Sequence, residues 1–155
     1  MTFLARLGIP AGCISGERQA SEHGRRTRLD LPDHFTVERA KVDGCWWKDG
    51  DPERVDYLFS VASRQGNGFR RAVLVELKGR HFEKALTQID STLKRLKSLP
   101  TWRGTADMKI FAFVVLAHGR EVRGAQEKQL DVQRRHNVRI TAKENLVITT
   151  RSIDL

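Results

Sequence analysis

Residues 69–79, FRRAVLVELKG, constrain the fold more than any other part of the chain. Val73, Leu74, Val75 and Leu77 lie so close together that a strand here is apolar on both faces. Such a strand belongs at the centre of a sheet covered on both sides. Directly after it, HFEKALTQIDSTLKRLKSL carries Phe82, Leu86, Ile89, Leu93 and Leu96 at alternating steps of four and three, the period of an amphipathic helix. That stripe is expected to pack on the sheet, and a layered α/β fold follows.

The neighbouring segments extend the sheet. FTVERAKVDGCWW, residues 35–47, reads as a strand with a bulge at Gly44, and RVDYLFSVA as a second strand. KDGDPE between them is a turn through Asp49-Gly50 and Asp51-Pro52, and SRQGNG connects onward to the apolar strand. The expectation is an antiparallel three-strand meander, then a helix, then a further buried strand in MKIFAFVVLAH, beyond a loop at Pro100, Trp102 and Gly104. A second helix is expected over 124–135, and two short paired strands about a Lys-Glu-Asn turn in NVRITAKENLVITTRS. Residues 1–30 mix glycine and charge without firm period. They read as a weakly structured or helical segment, with a short helix over 15–23, and residues 1–155 as a single domain.

Composition sets limits on function. The chain of 155 residues is 39% hydrophobic and 30% charged, the profile of a soluble globular protein rather than a disordered one. Its 28 Lys and Arg against 19 Asp and Glu give a formal charge of +9, which favours an anionic partner, nucleic acid first. Basic clusters occur at Arg25, Arg26 and Arg28, at Arg70 and Arg71, at Lys94, Arg95 and Lys97, and at Arg134 and Arg135. Two cysteines, Cys13 and Cys45, lack Cys-x-x-Cys spacing and are read as reduced thiols in a cytoplasm. Arg6 interrupts the first apolar stretch, which fails as a signal peptide, and no run approaches the roughly 20 apolar residues of a membrane span.

The chemistry concentrates at the end of the apolar strand. Glu76 and Lys78 alternate, so they share a face, and in an antiparallel hairpin Asp56 at the start of the preceding strand lies beside them. Two adjacent carboxylates repel unless a cation lies between them. Few, hard oxygen ligands suit Mg²⁺, which keeps several waters and takes one or two carboxylates plus phosphate oxygens. Lys78 would face phosphate or orient the attacking water, and the constellation fits phosphodiester hydrolysis.

VDYLFSV followed by VLVELKG resembles the PD-(D/E)XK nuclease superfamily, whose motif is an Asp, a hairpin, and Glu or Asp separated by one residue from Lys. The resemblance implies a restriction-endonuclease-like mixed sheet flanked by helices, and covers roughly residues 15–118. It implies Mg²⁺- or Mn²⁺-dependent cleavage of nucleic acid, DNA favoured over RNA. Asp56, Glu76 and the Leu77 carbonyl would be metal ligands, and Lys78 the catalytic amine. Several branches place Gln-x-x-x-Tyr on the following helix. Gln88 matches the Gln and is the fourth candidate catalytic residue, while Thr92 stands in place of the tyrosine. An acidic residue from a first helix, Glu17 or Glu22, has no motif around it and stays unassigned. Arg64, Arg70, Arg71, Arg80, His81 and Lys84 are the cations taken as nearest for backbone phosphate contact. Small nucleases of this kind often act as homodimers, although no interface is legible in the chain.

Other residues carry less. The five histidines, His23, His34, His81, His118 and His136, lack zinc-ligand spacing. Asp43 reads as a turn or strand-end aspartate. Trp46 and Trp47 would point to opposite faces if extended, one to the core and one to a base or a protein partner, and Trp102 reads as a loop residue able to stack likewise. Two rival readings use the same residues: a catalytically silent nucleic-acid-binding module of this fold, and an interaction subunit whose basic surface meets an acidic protein.

Overall fold

The structure, a computed structural model, describes residues 1–22, 24–48, 53–66, 68–77, 81–103, 108–116, 125–144 and 146–153. A short helix α1 (Phe3–Arg6) and a 3-10 turn at Ala11–Cys13 precede strands β1 (Ile14–Ser15), β2 (Gln19–Glu22), β3 (Arg25–Asp30), β4 (Phe35–Lys41), β5 (Tyr57–Ser63) and β6 (Arg70–Leu77). Then come helices α2 (Phe82–Lys97) and α3 (Pro100–Arg103), strand β7 (Lys109–Val115), helix α4 (Gln126–His136), strands β8 (Val138–Lys143) and β9 (Leu146–Thr149), and helix α5 (Thr150–Ile153).

Six strands form a mixed sheet in the order β1-β4-β5-β6-β7-β8. The expected meander is its middle: β4, β5 and β6 are antiparallel neighbours, and β7 and β8 add in parallel beyond β6. Alternation along β5 and β6 divides the core. Leu58 and Leu74 meet Leu86, Ile89 and Leu93 of α2 on one face. Phe59, Val61, Val73 and Val75 face the other way, onto Ala20, Leu29 and Ile148 of a second sheet with order β2-β3-β9. Helices therefore cover one face of the large sheet and a three-stranded sheet covers the other. The full stripe Phe82, Leu86, Ile89, Leu93 and Leu96 is buried, as its period requires.

Several expectations are corrected. The described part of the helix expected over 15–23 holds β2 instead, and the described residues of the first 30 hold α1 and three strands. The two terminal strands exist but do not pair. β8 joins β7 in the large sheet, whereas β9 joins β3 in the small one. Trp46 and Trp47 are not in an extended segment: the strand ends at Lys41, Gly44 takes φ +84°, and Trp47 N–H returns to Val42 O at 3.0 Å. Their rings stack at 4.5 Å and Trp47 is buried beneath the Arg95 guanidinium. Trp102 is also buried, on the short α3, against Phe3. The cysteines are not reduced thiols: Cys13 and Cys45 form a disulfide with Cα atoms 5.8 Å apart. Pairing of β1 with β4, Ile14 opposite Ala40, brings them together. The turn at Asp49 to Pro52, Asn67, Gly104 and Gly124 lie outside the described residues. Among the described residues, no helix is long and apolar enough to cross a membrane.

Candidate active site

Asp56 immediately precedes β5, and the register Tyr57 opposite Val75, carried one step further, sets it across from Glu76. Leu58 and Leu74 face the helices, so Asp56 and Glu76, each two residues away, lie toward that same face at one end of the sheet. Both are buried, Asp56 to 7% exposure and Glu76 to 1%. Leu77 N–H donates to Asp56 Oδ2 at 2.8 Å, while Val42 N–H donates to the Asp56 carbonyl at 2.9 Å. The carboxylate is thereby held by β6, and the backbone of the same residue by Val42, just past β4. Among the described residues, the side-chain hydrogen bond of Asp56 is made by Oδ2 and not by Oδ1.

Helix α2 holds the segment that leads into Asp56. Gln88 is buried, and its Nε2 donates to Arg54 O at 3.1 Å. One turn later, Thr92 Oγ1 accepts from Val55 N–H at 3.0 Å. Residues four apart share a helix face, so the pair clamps consecutive backbone groups of the approaching chain. Gln88 Oε1 is buried without a hydrogen-bond donor among the described residues. Arg54 in turn binds Asp43, Nε to Oδ1 at 2.9 Å, which gives that turn aspartate a structural role.

On the opposite face, at the same sheet end, a second polar group has formed. Lys41 Nζ pairs with Glu22 Oε1, and Tyr57 OH lies 3.1 Å from Ser21 O and 3.4 Å from Glu22 Oε1. Burial alone would lower the Lys41 ammonium, but Glu22, Tyr57 and Asp56 outweigh it and hold it above the ordinary lysine value. The Tyr57 phenol is raised, chiefly by burial, against the opposing pull of Lys41. Tyr57 also lies beneath the Arg39 guanidinium, 4.9 Å from the ring centre. Glu22 thus reaches this end of the sheet from a strand, whereas Glu17 pairs with Arg39 at 2.8 Å.

The remaining expected site residues divide. Leu77 ends β6 beside Asp56, and His81 and Lys84 are exposed at the start of α2. Lys78 and Arg80 lie outside the described residues, as do His23 and His118. Arg70 and Arg71 start β6, at the opposite end from Glu76, and Arg64 belongs to the hairpin there. All three have structural contacts: Arg64 donates to Asp33 O, Arg71 donates to Ile153 O at 2.8 Å and covers Phe69, and Arg70 lies over Phe3. Among the described residues, no group of three or more His, Cys, Asp or Glu is placed to hold a metal ion. Thr92, Lys41 and Tyr57 were not among the expected site residues. Tyr57 adjoins Asp56 in sequence, but Lys41 reaches it only through the β4–β5 pairing, Lys41 opposite Tyr57. No family model, no curated protein and no solved structure matches this chain.

Proposed function

We propose that this protein is a divalent-metal-dependent nuclease of the restriction-endonuclease-like, PD-(D/E)XK class, hydrolysing phosphodiester bonds with DNA favoured over RNA. One observation carries the reading. Two buried carboxylates, Asp56 and Glu76, occupy facing positions on neighbouring strand ends, and Lys78 follows two residues after Glu76 in sequence. Burying carboxylates is costly unless a positive partner compensates. The strand order agrees with that class as well: an antiparallel meander, a helix, and a parallel strand beyond β6.

The donor set suits Mg²⁺ or Mn²⁺. Asp56 Oδ1, Glu76 and the Leu77 carbonyl are hard oxygen ligands, and buried Gln88 Oε1 is a further acceptor without a donor among the described residues. Such a small protein set leaves room for water and phosphate oxygens. The ion, when bound, supplies an activated water and offsets charge on the scissile phosphate. Asp56 is oriented for this by Leu77 N–H, and its approach is held by Gln88 and Thr92. Lys78 positions the attacking water and stabilises charge developing on the phosphate. His81 and Lys84, exposed at the start of α2, contact the backbone phosphates.

The test is cleavage of linear, circular and single-stranded DNA and of RNA with Mg²⁺ or Mn²⁺. Cleavage is expected to vanish with chelator and to fall by about 10² to 10³-fold in Lys78→Ala, an estimate taken from loss of one charge-stabilising donor. A folded wild type that cuts none of the four substrates refutes the nuclease reading. A silent nucleic-acid-binding module then takes its place, favoured by the lack of a larger acidic or histidine cluster among the described residues.

A further inference from the structure

The small sheet has an outer face that the core does not use. Thr27 and Leu29 of β3 point inward and are buried, so Arg26 and Arg28 point outward and are exposed. β3 is the middle strand, flanked by β2 and β9. Ser21 lies opposite Arg26, Gln19 opposite Arg28, and exposed Val147 lies beside Arg28 on the other side. A shallow cavity of about 330 Å³ runs along Gln19, Arg26, Arg28 and Val147. Arg26 also borders a second, of about 500 Å³, which continues past Arg25 and Glu22.

Two features separate these arginines from six others of the chain. Arg18, Arg39, Arg54, Arg64, Arg71 and Arg135 all donate to carbonyls or carboxylates. Arg26 and Arg28 have no such partner among the described residues, and Glu22, opposite Arg25 in the hairpin, is already paired with Lys41. Asp30 is at the far end of β3. The second feature is position. The Glu22 end of the hairpin touches Tyr57, the residue after Asp56, so the row of arginines runs toward the end of the large sheet that bears Asp56 and Glu76, which lie on its other face.

We infer that the outer face of β2 and β3 is a track for the sugar-phosphate backbone of a nucleic-acid strand, leading it toward the sheet end whose other face bears Asp56 and Glu76. The inference rests on the nuclease reading for its substrate and adds where that substrate lies. Residues two apart on a strand are roughly 6.8 Å apart, so Arg26 and Arg28 suit successive phosphates of an extended strand. Guanidinium forks bind phosphate bidentately and, with no base edge addressed, the contact is independent of sequence.

The test is binding of a 20-nucleotide single strand and of the matching duplex, followed by fluorescence anisotropy over a range of salt with chelator present. Arg26→Ala with Arg28→Ala is expected to reduce the slope of log affinity against log salt by about 1.4 for the single strand or about 1.8 for the duplex. Arg26→Lys with Arg28→Lys should keep most of the slope. An unchanged slope in the alanine variant on both probes overturns the inference, even if cleavage is intact. A reduced slope upholds it even if no cleavage is ever seen, because binding is read without metal.

Discussion

At the scale of single residues, the carboxylate of Asp56 depends on groups that are not themselves acidic. Thr92 is 1% exposed, and its hydroxyl is the acceptor for Val55 N–H. Thr92→Val keeps the shape and removes the acceptor, leaving a buried donor unsatisfied at a cost of about 1 to 3 kcal/mol. Urea denaturation should show that loss, and unchanged stability would mean the bond contributes nothing. The placing of Asp56 beside Glu76 was legible in the sequence because a hairpin sets the start of one strand beside the end of the next, whereas Gln88 stood out only through the family resemblance. Thr92 stands in the sequence only as a departure from a pattern. Its role depends on how α2 meets the chain ahead of β5, which no local period encodes. The arginines of the β5–β6 hairpin show the converse: adjacency in sequence to the site strands put them at the wrong end of those strands.

At the scale of elements, α2 and α4 are joined by a charged chain. Lys97 Nζ lies 2.8 Å from His136 Nδ1, and His136 Nε2 lies 2.6 Å from Asp90 Oδ1. An ammonium only donates, so Nδ1 accepts and the proton sits on Nε2, facing Asp90. Burial lowers the His136 imidazole below its ordinary value, with Asp90 opposing in part. Burial alone would raise the Asp90 carboxyl, but bonds from His136, Arg135 and Lys94 outweigh it and hold it at about 2. A depressed carboxylate stabilises the fold fully above its unfolded value of 3.8 and loses that contribution as pH falls toward 2. The depressed histidine acts in the same direction, since the unfolded chain takes its proton first as pH falls through roughly 6.5. Asp90→Asn is therefore expected to flatten the decline in stability between about pH 4 and 2, and to cost roughly 1 kcal/mol at pH 7 after screening at the exposed Arg135 and Lys94. Thermal melts across that range check it, and parallel pH profiles would contradict it. The two helices were legible from period and composition. β2 and β3 were not, because only Ala20, Thr27 and Leu29 point inward and the outward positions are charged or polar. Their stability comes from β9, paired across more than a hundred residues: Thr27 Oγ1 donates to Leu146 O at 2.6 Å.

At the scale of the whole molecule, the large sheet is sealed by helices on one face and by the small sheet on the other, and polar groups gather where β5 begins and β6 ends. The Cys13–Cys45 bridge ties the N-terminal segment to the turn after β4 across 32 residues, a loop whose closure is worth about 3 to 4 kcal/mol in chain-entropy terms. Neither the bridge nor the joining of β9 to β3 could be read from spacing, since both depend on pairing between strands distant in sequence. Asp56 and Glu76 are proposed to make this sheet end a metal centre. The most direct test of this is calorimetric titration of Mn²⁺ into the wild type and into Glu76→Gln, with circular dichroism to confirm that both are folded. One ion per chain should bind the wild type, and affinity should fall at least about tenfold, some 1.4 kcal/mol, in the variant. Equal binding to the two proteins, or none to the wild type, would contradict the account.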